Sequence, residues 1–291
     1  MLLSTLMNSP DAMAVHTRIA PTPSGYLHTG NVFSFLYTKR LLQNTGDTLR
    51  LRIDDLDRAR MRNGYLEDIF ETLEWLGIKP DSGASNPHDF KTQYSQTLRV
   101  ALYRSYIEQL KQMGHLYACN CSRKDILQKN SKGIYPGTCR LKNLSLLTPG
   151  TALRLRIPED AVPISFMNAH GEKTISIHLL EEMGDFVIQR KDGLPAYHIA
   201  SLADDVLYGT NTIVRGEDLL ASTAAQLLLA GLLNLDVFLQ TKFYHHPLVQ
   251  HENGEKLSKS AGHLSLKHLR KTGMPAQQVI ALFEKWLQTI T

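Results

Sequence analysis

Cysteine is scarce in this chain: three among 291 residues, an odd number, all between Cys119 and Cys139. That excludes a disulfide framework as the source of stability. Long apolar runs are also missing. The longest, Leu219 to Leu235, is interrupted by Ser222, Thr223, Gln226 and Asn234, which suits a buried helix and not a membrane span. The first residues carry no basic region, and Asp11 breaks the apolar run there, so no secretory signal is read. Internal repeats and low-complexity tracts are absent as well. Neither sign of charge dominates: 32 Lys and Arg against 28 Asp and Glu leave a formal +4, compatible with a polyanionic partner but too small to require one. The chain is therefore expected to be soluble and cytoplasmic, with no membrane partner. Its 43% hydrophobic content can bury a substantial core in one large or two modest domains. Residues 1–14 read as a loose leader.

From Val15 to Ala20 the chain is short and mostly apolar. A loop rich in Pro and Gly follows, and then Val32, Phe35, Leu36 and Leu42 recur at helical spacing. After Gly46, Leu49, Leu51 and Ile53 alternate with Arg50 and Arg52 ahead of Asp54, Asp55 and Asp57, which reads as a second strand. Strand, helix and strand make a βαβ unit, whose ligands sit beyond the C-terminal ends of its strands. The loop at Pro21–Gly30 and the acids at Asp54 both lie there. Leu66, Ile69, Phe70, Leu73 and Leu76 keep helical spacing up to Gly77, and a further helix is expected from about Thr97 to Met113. Between Gly114 and Leu194 short alternating runs such as Leu153, Leu155 and Ile157 predict an inserted subdomain. The core pattern returns with Ile213–Arg215 as a strand and Leu219–Leu233 as a buried helix, and His263–Thr291 reads as a small helical tail.

Two strings far apart carry the chemistry: Pro21-Thr-Pro-Ser-Gly-Tyr-Leu-His28-Thr-Gly30-Asn31 and Glu255-Lys256-Leu-Ser258-Lys259-Ser260. Alone, the first is a capped helix start behind a tight turn and the second a solvated basic loop. Together they resemble the HIGH and KMSKS signatures of class I aminoacyl-tRNA synthetases. That resemblance implies an α/β fold with the Rossmann-like parallel-sheet core of HIGH-type nucleotidyltransferases. Its halves would span residues 15–113 and 195–262, separated by a zinc-bearing acceptor subdomain at 114–194 and followed by a helical tail at 263–291. It also implies adenylate chemistry. A carboxylate attacks the α-phosphate of ATP, and negative charge builds on the phosphoryl oxygens and the departing pyrophosphate. His28 is suited to hydrogen-bond a phosphate oxygen, Gly30 to let the nucleotide approach the backbone, and the helix start behind them to favour anions. Lys256 and Lys259 supply point charges from a loop that can close on ATP and reopen. His28, Lys256 and Lys259 are thus the expected catalytic residues. Pro21, Gly30, Asn31 and Ser258 complete the ATP site, with Mg²⁺ accompanying the phosphates.

The resemblance narrows to the glutamyl and glutaminyl branch through Thr17-Arg-Ile-Ala-Pro-Thr-Pro-Ser-Gly, Arg52-Ile-Asp-Asp-Leu-Asp, Tyr197-His-Ile-Ala-Ser-Leu-Ala-Asp-Asp and Ile213-Val-Arg215-Gly-Glu-Asp, and it covers nearly all of residues 15–262. By that resemblance Arg18, Ala20, Thr22, Asp54, Tyr197 and Arg215 contact the amino acid. Singly, Arg18 reads equally as an ion-pair residue, Tyr197 as a core aromatic and Asp54 as a helix cap. A guanidinium at Arg215 favours L-glutamate, because a glutamine side chain would leave that charge unpaired. Two departures from the glutamyl pattern keep glutamine open: Asp54 stands where those enzymes usually have Glu, and Ser201 where many have Asn.

In the insertion, Cys119-x-Cys121 and Tyr135-x-x-x-Cys139 supply three thiols and a phenol on a glycine-rich loop. Such a set suits a structural tetrahedral Zn²⁺, with three buried free cysteines as the alternative. The same arrangement resembles that of glutamyl-queuosine tRNA(Asp) synthetases. That resemblance implies transfer of activated glutamate to queuosine in tRNA(Asp), activation needing no RNA. The chain ends soon after the lysine-rich loop, where discriminating glutamyl enzymes continue into an anticodon-binding region, so the catalytic portion of a glutamyl-tRNA synthetase, charging the tRNA 3′ end, stays as the other reading.

Overall fold

Residues 16–19 become β1 (His16–Ile19) in the computed structural model, which describes residues 14–249 and 266–290. The chain passes through the Thr29–Arg40 helix into β2 (Thr48–Leu51), and the two strands lie parallel with Ile19 opposite Leu51. The helical spacing puts Val32, Phe35 and Leu36 inside. Asp47 ties the return: its carboxylate accepts backbone N–H groups from Val15, Gln43 and Asn44, so one side chain satisfies both the turn and the start of β1.

The other strands are β3 (Ser82–Gly83), β4 (Leu116–Cys119), β5 (Ala152–Leu155), β6 (Ile164–Asn168), β7 (Lys173–Ile177), β8 (Val187–Gln189), β9 (Thr212–Gly216) and β10 (Lys242–His246). The central sheet has the order β3-β2-β1-β9-β10-β6-β7. Neighbours are parallel from β3 to β6, and only the β6–β7 hairpin is antiparallel. Because the chain leaves β1 towards β2 and later returns to its other side as β9, the strand order reverses between β1 and β9. Crevices for ligands form at such a switch point.

Residues 114–194, expected as one inserted unit, divide between two sheets. β4, β5 and β8 make a separate antiparallel sheet, whereas β6 and β7 extend the central one. Asn168 makes that junction: its side-chain oxygen accepts from the His245 backbone N–H at 2.8 Å, and its amide donates to the His245 carbonyl at 3.0 Å. One side chain thus replaces a ladder pair at the edge of β10. The small sheet is not packed independently. Leu116, Leu153, Leu155 and Ile188 share one core with Ile199, Leu202, Ala225 and Phe243 of the second half of the chain.

The helices predicted around 66–76, 97–113 and 219–233 appear as Asn63–Trp75, Val100–Gln112 and Leu220–Leu232. At the end of the chain, Leu266–Lys271 and Ala276–Ile290 are helical. They fold back on the first half, where Phe283 and Trp286 pack against Phe33 with centroids 5.7 and 5.2 Å away. No helix among the described residues is long and apolar enough to cross a membrane.

Candidate active site and a cysteine cluster

A cavity of about 430 Å³ opens at the switch point, over the C-terminal ends of β1, β9 and β10. β1 and the loop after it bring Arg18, Ala20, Pro21 and Thr22 to its wall. The turn before the Thr29–Arg40 helix brings His28, Gly30 and Asn31, the end of β9 brings Arg215, and the Tyr197–Leu207 helix contributes Tyr197. Residues separated by nearly 200 positions in the sequence therefore line one space. The turn is closed on itself: the Asn31 side-chain oxygen accepts from the His28 backbone N–H at 3.2 Å, and the His28 carbonyl accepts from Asn31 N–H at 2.9 Å. Gly30 packs closely on its neighbour: a Cβ would lie 3.1 Å from Cε1 and Nδ1 of the His28 ring, a tight contact that would press on the imidazole. Lys256, Ser258 and Lys259 lie outside the described residues.

Two further contacts hold the loop, one to Asp68 of the Asn63–Trp75 helix and one to Leu266 near the end of the chain. Leu27 N–H donates to Asp68 at 2.9 Å while Arg270 holds the other oxygen of that carboxylate at 2.9 Å. The Leu27 carbonyl accepts from Leu266 N–H at 3.0 Å. Sequence reading missed Asp68 and Arg270. Their signal was an acid at a buried position of an amphipathic helix, which needs a partner.

Behind the cavity lies a buried lattice of opposite charges. Asp205 accepts from Arg18 at 2.9 Å and from Arg52 at 2.7 Å through one oxygen. Arg52 forks onto Asp54 at 2.7 and 3.1 Å and also donates to the Ser201 hydroxyl at 2.9 Å. Beside them Asp204 takes Arg99, Gln96 and the Tyr103 hydroxyl. Burial opposes ionisation of Asp205, yet Arg18, Arg52 and Arg215 together hold its carboxyl below the usual range. Burial likewise opposes charge on Arg52, which Asp205 and Asp54 nevertheless keep protonated well above its ordinary value. Asp54, expected at the amino acid, faces Arg52 and does not line the cavity. The two positions that depart from the glutamyl pattern, Asp54 and Ser201, are thus joined through one guanidinium. Arg52 and the Asp204–Asp205 pair went unassigned at the sequence level, although adjacent acids in an otherwise apolar helix were a readable sign of buried ion pairing.

Arg215 differs from its neighbours. It is only 4% exposed, its Nη1 donates to Thr223 Oγ1 at 2.9 Å, and Nε and Nη2 have no hydrogen-bond partner among the described residues. The nearest carboxylate oxygen, Asp205 Oδ2, is 3.9 Å from Nη2, beyond hydrogen-bond range. Burial, with Arg18 and Arg52 close by, pulls the guanidinium below its ordinary pKa. An unsatisfied edge of a buried cation costs on the order of 1–3 kcal/mol, and a planar carboxylate arriving through the cavity would meet both donors at once.

The second cluster lies at the end of β4. Cys119, Cys121 and Cys139 hold their sulfurs within 4.8 Å of one another, with Cys121 and Cys139 3.5 Å apart. Thiolates at about 2.3 Å from a tetrahedral zinc sit roughly 3.8 Å apart, so the donor set fits such an ion. The Tyr135 hydroxyl lies 3.3 Å from Cys119 Sγ and accepts the Cys139 backbone N–H at 2.8 Å. The Arg154 guanidinium covers the Tyr135 ring at 3.6 Å from its centroid. Gly184 has φ +64°, and a Cβ there would overlap the Tyr135 carbonyl, so glycine is what lets the two segments touch.

A family model described as "tRNA synthetases class I (E and Q), catalytic domain" matches residues 14–289. The Glutamyl-Q tRNA(Asp) synthetase of Pseudomonas aeruginosa is 38% identical over 274 residues, 94% of this chain and 84% of that protein. The glutamate–tRNA ligase of Sulfurihydrogenibium sp. is 32% identical over 283 residues, 90% of this chain and 56% of its own length. Among solved structures, the glutamate-tRNA synthetase of Elizabethkingia anophelis superposes with a TM-score of 0.71 at 28% identity, covering 89% of this chain and 54% of that one. The chain therefore spans most of the first relative and about half the length of the other two.

Proposed function

The chain belongs to the class I tRNA synthetase (E and Q) catalytic-domain family, and on that premise we propose that it activates L-glutamate with ATP and transfers it to queuosine of tRNA(Asp). The observation that carries the glutamate reading is Arg215: a buried guanidinium on the wall of the switch-point cavity, with Nε and Nη2 unpartnered among the described residues. In the first step the α-carboxylate of glutamate attacks the α-phosphorus of ATP, the bond to pyrophosphate breaks, and glutamyl-adenylate remains. In the second, an RNA hydroxyl attacks the acyl carbon and AMP leaves. The task of the protein in both steps is alignment and charge stabilisation.

In this reading His28 meets the phosphates from the helix start, and Lys256 and Lys259 join it from the lysine-rich loop. Pro21, Gly30, Asn31 and Ser258 complete the nucleotide site, which takes ATP as its Mg²⁺ complex. Arg18, Ala20, Thr22 and Tyr197 surround the amino acid whose side-chain carboxylate Arg215 receives, and Asp54 acts at one remove through Arg52. Cys119, Cys121, Cys139 and Tyr135 would hold Zn²⁺, which braces the small sheet as a cross-link and takes no part in the reaction. The queuosine acceptor rests on the likeness to Glutamyl-Q tRNA(Asp) synthetase over 94% of this chain.

The test is amino-acid-dependent ATP–pyrophosphate exchange, with glutamate or glutamine and with or without tRNA, followed by charging of queuosine-containing and queuosine-free tRNA(Asp). Exchange driven by glutamate without RNA, then loading of only the modified RNA, is the expected result. Charging of a tRNA 3′ end would assign the chain to the activity named for its glutamate–tRNA ligase relatives, and exchange driven by glutamine alone would reverse the reading of Arg215.

A further inference from the structure

A guanidinium selects a carboxylate only while its fork stays aimed, and the rotamer entropy of a long arginine side chain favours swinging away. Arg215 is held from behind. Its Nη1 donates to Thr223 Oγ1 at 2.9 Å, and the same hydroxyl lies 2.9 Å from His245 Nε2. Thr223 and His245 are fully buried, on the Leu220–Leu232 helix and β10 respectively. Arginine has only donors, so at Thr223 it donates. With the His245 proton on Nδ1, which has no hydrogen-bond partner among the described residues, the threonine hydrogen is left for Nε2 to accept. Burial and the neighbouring Arg215 push the His245 ring down to about 3, so it is neutral and can accept. In that tautomer donation runs one way, from Arg215 through Thr223 to His245.

The end of this chain is itself immobilised. Asn168 brackets the His245 backbone with two hydrogen bonds, and the imidazole stacks on Phe243 with centroids 6.1 Å apart. Arg215 lies over the same Phe243 ring at 5.9 Å. Thr223 and His245 do not line the cavity, whereas Arg215 does. We propose that Thr223, oriented by His245, is a positioning and specificity-determining residue: it fixes the Arg215 fork so that Nε and Nη2 present a paired donor edge to an acidic side chain. This inference rests on the reading of Arg215 given above. A neutral amide side chain cannot satisfy two parallel donors as a carboxylate does, so loosening the fork costs glutamate more than glutamine.

The experiment measures exchange kinetics for glutamate, glutamine and ATP in Thr223→Val, Thr223→Ser and Arg215→Ala, with a thermal melt of each full-length protein. Valine keeps the volume and removes the hydroxyl; serine keeps the hydroxyl. Losing one charge-assisted hydrogen bond predicts a KM for glutamate raised about 10-fold or somewhat more in Thr223→Val, with the KM for ATP within about 2-fold, the glutamate-over-glutamine preference reduced by the same factor, and Thr223→Ser close to the parent. A glutamate KM unchanged in Thr223→Val, KM values for glutamate and ATP that rise together, or a serine variant as impaired as valine would each overturn the proposal. Arg215→Ala separates the two levels. If it raises the glutamate KM while Thr223→Val does not, only the positioning role falls; if it leaves that KM unchanged, the reading of Arg215 falls as well. Thr223→Ala, read by the same criteria, stands in should the valine variant fail to fold.

Discussion

Two buried polar clusters divide the chemistry of this molecule, and they are built on opposite principles. The wall behind the cavity is a lattice of full charges in which Arg18, Arg52 and Arg99 find carboxylates within 2.7–2.9 Å; among its described buried atoms, Nε and Nη2 of Arg215 and the facing Oδ2 of Asp205 have no hydrogen-bond partner. The cysteine cluster contains no cation among its donors. Its sulfurs and the Tyr135 hydroxyl lean on one another, and a Cys121 thiol pushed up to about 11 by burial and by its Cys139 neighbour is costly to ionise unless a positive charge arrives. The first is held by ion pairs and leaves a few charged atoms without partners; the second is a set of thiols and a phenol that bond one another at a spacing that also fits an ion.

The comparison breaks most sharply at Asp205. Replacing it with alanine strips the shared counter-charge from Arg18 and Arg52, and removing one partner of a buried network costs about 3–5 kcal/mol. Urea unfolding should show a loss of that size, and a loss below about 1 kcal/mol would mean the lattice is solvated and not preorganised. Next comes Arg215→Ala, which should raise the glutamate KM in exchange about 100-fold with little change for ATP. Equal losses for both substrates would remove Arg215 from the side-chain site. For the cysteine cluster, one equivalent of zinc should bind the chain, and its removal by a chelator should cost roughly 2–3 kcal/mol of stability. Cys121→Ser should show neither the stoichiometric metal nor the chelator response. A parent protein whose melting is indifferent to chelator would leave the cluster as three free thiols.

How much of this was legible beforehand follows the range of each signal. The βαβ unit, the turn at His28 and the burial of the Leu220–Leu232 helix are local patterns, and period and glycine placement were enough to read them. That Arg18, His28, Tyr197 and Arg215 meet was readable only through the family resemblance, because spacing cannot bring residues nearly 200 positions apart together. Partner choice was beyond reach. Asp54 has Arg52 two positions away as its clasp, but Arg52 also holds Asp205, which is 153 positions distant, and neither Arg52 nor Asp54 lines the cavity. Thr223 escaped notice for a related reason. It interrupts an apolar helix and was read as excluding a membrane span, whereas its hydroxyl has two polar partners waiting across the core. The hairpin β6–β7 joins the central sheet through Asn168, a single amide with no periodic signature.

The smallest predicted effect concerns pH, and it probes the arginine wall without a ligand. His245 is fully buried, and burial together with Arg215 lowers its pKa from 6.5 to about 3 in the folded protein. Between those values the unfolded chain binds a proton that the folded chain refuses, so stability is full above the unfolded value and is lost as pH falls from there towards about 3. For this one ring the loss between pH 7.5 and 5 amounts to about 2 kcal/mol. Unfolding free energies across that interval should therefore decline more steeply in the parent than in His245→Gln, the difference being of that size. Parallel pH profiles for parent and variant would show that His245 titrates as it would in water, and the one-way donation from Arg215 through Thr223 would lose its terminal acceptor.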